Sequence, residues 1–211
     1  MSFSSLTKQF ACIAFLTLGA LGAGCSSNDS AQSDAAAVEQ HADLAGWRSA
    51  LAARRKINIE RLHDYAQRGV FPRNDQKPGK ANIFIDEVGT HCAVANLMSL
   101  SGNEDLVQGS AKRDNFIRLA DVKDGALFDW IAQSGFTQEE VALIQEPYMF
   151  QKPPGDLSMQ QSEQKRLREH FAKVDAQLRA DTDKSIDTAI ARMPMHILVS
   201  PPPTPGEPVA V

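Results

Sequence analysis

The sequence predicts a mainly α protein, a single helical domain with one or two short β-strands. Apolar residues recur at three- and four-residue steps through most of the chain, which is the period of amphipathic helices. A helix-capping signal supports this assignment, and the β-prone runs are too short to build a sheet by themselves. The 211 residues, 43% hydrophobic and 23% charged, have the composition of an ordinary globular protein.

The first half of the domain begins with a strongly periodic segment that predicts an amphipathic helix or helix pair ending at Gly69. Its apolar stripe consists of Leu44, Trp47, Leu51, Ile59, Leu62 and Tyr65. Residues 70–80 are interrupted by Pro72, Pro78 and Gly79, which predicts a loop.

The middle of the domain combines one β-prone run with short helices. Residues 83–85, Ile-Phe-Ile, form a short β-prone run. Residues 91–100 predict a short buried helix that ends at Gly102, and residues 105–112 predict another helix.

Two further helices are predicted between residues 126 and 147. Residues 126–133 form the first, around Leu127, Trp130 and Ile131. The second begins with a capping box, in which Thr137 and Glu140 satisfy each other's backbone amides, and it ends before Pro147.

The last part of the domain predicts one long helix over residues 158–193, which Asp181 to Asp183 could interrupt. Residues 197–199, Ile-Leu-Val, could form a last strand. The apolar stripe of the long helix consists of Leu167, Phe171, Val174, Leu178, Ile186, Ile190 and Met193.

The charge of the chain argues against a nucleic-acid-binding protein. The formal net charge is −4 with both signs spread along the sequence, whereas binding to phosphates needs a basic patch. Aromatic residues make up only 7%, and nothing resembles a stacking platform for bases. We therefore expect no nucleic acid among the partners.

The amino-terminal segment has the layout of a secretory signal peptide. Residues 1–9 are polar and include Lys8, and residues 10–24 are apolar and close with small residues. The apolar run of about 15 residues is shorter than the roughly 20 that a membrane-spanning helix needs. We therefore expect residues 1–24 to be removed.

The run Leu21-Gly22-Ala23-Gly24-Cys25 resembles the lipobox of bacterial lipoproteins. The resemblance implies cleavage before Cys25 and lipidation of that cysteine, including acylation with fatty acids such as palmitate. Ser26 in the next position implies sorting to the outer membrane, facing the periplasm. The membrane, through the lipid anchor, would then be the first partner of the protein, and an envelope protein a second.

These boundaries predict four segments. Residues 1–24 are the signal peptide, and residues 25–40 are the lipidated cysteine and a flexible tether that lacks large apolar residues. Residues 41–200 form the α-rich globular domain, and residues 201–211 form a disordered proline-rich tail.

Cys92 is the one thiol that this scheme leaves free. With Thr90 as N-cap, Cys92 would lie in the first turn of a helix, where the helix dipole lowers a thiol pKa. A thiol enzyme of the peptidase or acyltransferase type would pair it with a histidine base, His196 first and His63 second. Asp86 or Asn96 could orient that base.

Three other interpretations of Cys92 stay open. A free cysteine is often a small buried hydrophobic residue, and the Ala93-Val94-Ala95 run that follows is apolar enough to belong to a core. Pairing with another molecule is the second. The third is a metal or haem site through His91, which would need His63 or His196 to approach. We predict no cofactor and no metal ligand.

The pattern Phe84-x-Asp86-x-x-Gly89-x-x-Cys92-Ala93-Val94 resembles a group of uncharacterised exported bacterial proteins. The resemblance spans roughly residues 55–148 and implies no activity. We therefore expect a lipid-anchored envelope protein that acts as a binding or structural module, with a thiol enzyme using Cys92 as the alternative.

Overall fold

The computed structural model describes residues 28–151, 156–200 and 202, with side chains described from Leu44 onward. The predicted signal peptide, Cys25 and the predicted tail apart from Pro202 lie outside these residues. Contacts divide the chain into two units, residues 1–37 and residues 38–211. All sites discussed below belong to the second unit.

The first helix, α1 (Asn28–Arg68), ends where the sequence predicts. Gly69 follows with φ +65°, a left-handed conformation that glycine adopts without a Cβ clash and that ends helices. α1 begins within the predicted tether, so residues 28–40 are helical. The high helix propensity of the alanine-rich run at residues 35–37 favours this outcome.

Short helices and one small sheet follow. The helices are α2 (Ala93–Leu100), α3 (Glu104–Arg113), a 3-10 turn (Leu119–Asp121), α4 (Gly125–Gln133) and α5 (Gln138–Ile144). The sheet consists of β1 (Lys80–Ala81) and β2 (Tyr148–Met149), which pair antiparallel with Lys80 opposite Met149. The mainly α class is confirmed, and both strands contain only two residues.

The β-prone run at residues 83–85 forms no strand. It is bonded to irregular segments instead: Phe84 N–H donates to the Asn115 carbonyl, and Ile85 makes an isolated bridge with His91. Because its neighbours are a loop and a turn, the run has no strand partner with which to build a sheet.

The predicted long helix is divided into two, at the first of the positions where the sequence allowed an interruption. α6 (Leu157–Ala180) and α7 (Thr182–Arg192) meet at Asp181, which caps both with non-helical backbone angles. The apolar stripe is nevertheless buried as predicted, with Leu167, Phe171, Val174 and Leu178 on the inner face of α6.

The predicted last strand at residues 197–199 is also wrong. A short helix, α8 (Met195–Leu198), takes its place. Pro194 starts this turn, since its carbonyl accepts hydrogen bonds from the amides of Ile197 and Leu198. The apolar run contributes Ile197 to the core instead of forming a strand.

Two apolar clusters hold the elements together. The larger one lies between the carboxyl-terminal half of α1, α2, α4, α5 and α6, and includes Phe84, Leu97, Trp130 and Phe171. The smaller one joins α1 to α7 and α8 and consists of Trp47, Leu51, Ile186, Ala189, Met193 and Ile197. None of the described helices is both long and apolar enough to cross a bilayer.

A buried ion pair connects four of the helices. The Arg55 guanidinium on α1 donates to both carboxylate oxygens of Glu140 on α5, at 2.8 and 2.7 Å. The same guanidinium reaches the Leu178 carbonyl on α6, and Ser185 on α7 donates to Glu140. The Glu140 carboxylate also accepts from Thr137 N–H, which confirms the predicted capping box.

Candidate functional site

Cys92 is the N-cap residue of α2 rather than part of its first turn. Its Sγ accepts a hydrogen bond from Ala95 N–H at 3.4 Å, so the prediction of Thr90 as the cap is wrong. The reason is the turn that precedes it. Gly89 has φ +85° and His91 bridges to Ile85, so the helix begins only after Cys92.

The sulfur of Cys92 is buried, with 1% of the residue exposed. Burial raises the pKa of the thiol to about 12, and the amides of Ala95 and Val94 oppose this shift only in part. The expected lowering of the pKa is therefore wrong. The helix terminus does favour the thiolate, but removal of the sulfur from water disfavours the charged form more strongly.

Two buried tyrosines neighbour this thiol. Burial, followed by the proximity of Cys92, raises the pKa of Tyr65, and burial together with Tyr65 raises the pKa of Tyr148. The Tyr65 hydroxyl donates to the His91 carbonyl at 3.1 Å. The three acidic groups thus stay protonated together at neutral pH, which is unsuited to a nucleophile that must ionise.

Asp86 shapes the turn before α2. Its Oδ1 accepts from the amides of Val88 and Thr90, at 3.1 and 2.7 Å, and its Oδ2 accepts from Arg73 N–H at 3.2 Å. Asn96, the other candidate orienter, accepts from the Arg68 guanidinium at 3.2 Å. Both side chains are thus engaged in holding loops and helices rather than an imidazole.

The candidate histidines lie at other places. His196 Nε2 is 3.0 Å from Asp129 Oδ1, and its side chain is largely exposed. His91 Nε2 is 3.6 Å from Glu104, and His63 lines a cavity with Arg168 and Asp175. None of these contacts brings an imidazole to the Cys92 sulfur.

The geometry gives no support to metal binding either. Within the part of the chain that the structure describes, no three histidine, cysteine, aspartate or glutamate side chains converge as a ligand set. Among the described ion pairs, His91 takes part in one, with Glu104.

A polar cavity of about 190 Å³ lies on another side of the molecule, beside the amino-terminal half of α6. Its polar lining consists of Arg73, Gln151, Gln160, Glu163 and Gln164. The sequence offers no local signal for this group, because the lining comes from the loop after α1, the end of the β2 segment and α6. Only the packing of these three segments brings them together.

Comparisons of the chain with protein families, with curated proteins and with solved structures found no match. The resemblances to lipoproteins and to exported bacterial proteins therefore stay expectations from the sequence.

Proposed function

We propose that this chain is a lipid-anchored envelope lipoprotein whose helical body, residues 41–200, is a binding or structural module. The observation that carries the proposal is the run Leu21 to Cys25, in which small residues close an apolar segment directly before a cysteine. Three acyl chains on Cys25 would hold the protein stably at a bilayer, since one chain alone gives only reversible binding. Ser26 favours the outer membrane, with the body facing the periplasm.

The surroundings of Cys92 favour a module without thiol catalysis. A protonated, buried sulfur that caps a helix serves the fold, and a peptidase or acyltransferase would need a sulfur within reach of both substrate and base. The thiol enzyme and the metal- or haem-binding protein are therefore the less favoured alternatives. A binding module needs no such arrangement, only a surface or cavity of suitable chemistry.

Metabolic labelling tests the anchor directly. In a Gram-negative host that expresses the full chain, we expect labelled palmitate in the protein, recovery in the outer-membrane fraction, and a mature amino terminus at Cys25. Cys25→Ser should abolish the label and the membrane recovery. Cys12→Ser is the matched control, because it changes a cysteine within the segment to be removed, and it should leave both unchanged.

Mass spectrometry of the amino-terminal peptide decides the outcome. An unmodified terminus, a terminus still at Met1, or palmitate retained in Cys25→Ser would overturn the proposal.

A further inference from the structure

The cavity beside α6 is a candidate site for a small ligand. Its volume of about 190 Å³ is smaller than the roughly 300–1,000 Å³ of sites that hold drug-sized ligands, so it suits a small molecule or the end of a longer one. Its wall combines the polar groups named above with apolar surface from Val70, Phe71, Pro72 and Leu167.

Arg73 is the cationic residue of this cavity. Arg73 takes part in no described ion pair, although its backbone N–H is bonded to Asp86. Its Nε is buried and makes no hydrogen bond within the described residues. An unsatisfied buried donor is unfavourable, and a guanidinium binds carboxylates in a two-point fork. A ligand carboxylate would remove that cost.

The amides of the cavity are also unused. Gln151 is only 7% exposed, and its backbone N–H donates to the Asn74 carbonyl, but its side-chain amide makes no hydrogen bond within the described residues. The side-chain nitrogen and oxygen of Gln151 are open to water, and they can therefore bond to a ligand instead. Since an amide group both donates and accepts, Gln151 matches a ligand that also carries an amide.

The acidic residue of the cavity does not exclude an anion. The Glu163 carboxylate accepts from the Arg166 guanidinium at 2.7 and 2.8 Å and from Met149 N–H at 2.9 Å. Burial by itself raises the pKa of Glu163, yet these hydrogen bonds outweigh burial and the pKa is lowered. Its charge is thus compensated by Arg166, while Arg73 takes part in no ion pair among the described residues.

From this combination we infer that the cavity binds the carboxyl-terminal end of a peptide. The terminal carboxylate pairs with Arg73, the last peptide group bonds to Gln151, and a small apolar side chain lies against Phe71 and Leu167. This inference concerns the folded body and does not depend on the lipid anchor.

Titration with a dipeptide tests the inference on the full-length chain in detergent. The probe is N-acetyl-alanyl-alanine, and its carboxyl-terminal amide is the matched comparison, since it differs only in the absence of the charge. Ligand-observed NMR or calorimetry measures both. We expect the acid to bind at least about ten-fold more tightly than the amide, because a charge-assisted pair is lost.

Two variants test whether the acid binds in this cavity. Arg73→Met and Gln151→Met should each weaken binding of the acid at least about ten-fold. Arg118→Met, which changes an exposed arginine paired with Asp121 elsewhere on the surface, should leave it unchanged. Circular dichroism and thermal unfolding identify any variant that fails to fold, and the comparison of acid with amide on the unaltered chain does not depend on the variants.

Three results would overturn the inference. Absence of binding of the acid excludes the site, and equal binding of acid and amide excludes the carboxylate contact. Acetate that binds as tightly as the dipeptide would reduce the site to a simple anion subsite without peptide recognition. None of these results bears on lipidation of Cys25, so failure of this inference and failure of the proposed function are distinguishable.

Discussion

At the scale of single residues, the chemistry of Cys92 depends on where α2 begins, because this decides whether the thiol is in the first turn or at the N-cap. A thiol in an exposed first turn would gain from the helix dipole, whereas the observed N-cap thiol is enclosed by Tyr65, Tyr148 and the chain around Phe84. The gain from a helix terminus is typically 0.3–1 kcal/mol, and desolvation of a charged group is larger. The buried alternative considered for this cysteine agrees with the structure.

Alkylation measures this difference. With a pKa of about 12, the thiolate fraction at pH 8 is roughly a thousand-fold smaller than that of an ordinary thiol, and burial blocks access as well. We therefore expect iodoacetamide to label Cys92 at least about 1,000-fold more slowly in native protein than in guanidinium.

Cys92→Ser is the control for this experiment, since any label that it retains comes from another cysteine and is subtracted. Native labelling of Cys92 at the rate of the unfolded chain would contradict the assignment and restore the thiol enzyme as a hypothesis.

At the scale of elements, the turn between α4 and α5 is in backbone contact with α1. Gly135 has φ +83°, and a Cβ at this position would lie 2.5 Å from the Leu51 carbonyl oxygen and 2.6 Å from the Arg55 backbone nitrogen. The close approach lets the Arg55 guanidinium reach both the Gly135 carbonyl and Glu140. A single glycine therefore decides how closely this turn can approach α1.

Substitution of this glycine separates backbone strain from packing. Gly135→Ala should destabilise the protein by about 3–5 kcal/mol, because a left-handed conformation and a clash with backbone atoms add together. Gly89→Ala is the matched control. It has a similar φ of +85° with nothing within 4 Å of the added methyl group, so it should cost only about 1–2 kcal/mol. Urea unfolding followed by circular dichroism measures both, and equal losses would contradict the close approach.

Sequence patterns predicted the elements well where the signal is local. Gly69 ends α1, the capping box at Thr137 starts α5, and the stripe of α6 is buried. Each depends on residues within one or two turns of each other. The patterns failed at residues 197–199, where a β-prone run became a helical turn after Pro194. At Asp181 the pattern allowed an interruption of the long helix but could not decide it.

At the scale of the whole molecule, titration of buried groups sets the pH range of stability. Burial acts to raise the pKa of Glu140, but hydrogen bonds from Arg55, Thr137 and Ser185 outweigh it, so the pKa lies below the ordinary value of 4.5. A lowered carboxyl pKa contributes stability above pH 4.5 that is lost as the pH falls through the folded-state value. The raised pKa of Cys92 acts at the other end, and its contribution is lost as the pH rises from about 9 to 12.

Substitution of Glu140 measures its share of the loss of stability at acidic pH. Glu140→Gln should lower the free energy of unfolding at pH 7 by about 3 kcal/mol, because it leaves Arg55 as an unpaired buried charge. It should also flatten the decline in stability as the pH falls below 4.5. Glu87→Gln, an exposed glutamate in the turn before α2, should change neither. Denaturant titrations at several pH values provide the measurement, and an unchanged acid slope in Glu140→Gln would contradict the assignment.

The sequence by itself determined the helical class, most helix ends and the expectation of a lipid anchor at Cys25, because periodicity, caps and a resemblance to a lipobox depend on neighbouring residues. Only the tertiary structure decided that Cys92 is enclosed and protonated, that Asp86 and His196 serve other contacts, and that Arg73 and Gln151 share a cavity. The physical reason is that burial, pKa and cavity shape depend on segments far apart in the chain. Residues that are far apart in the sequence come into contact only when the helices pack.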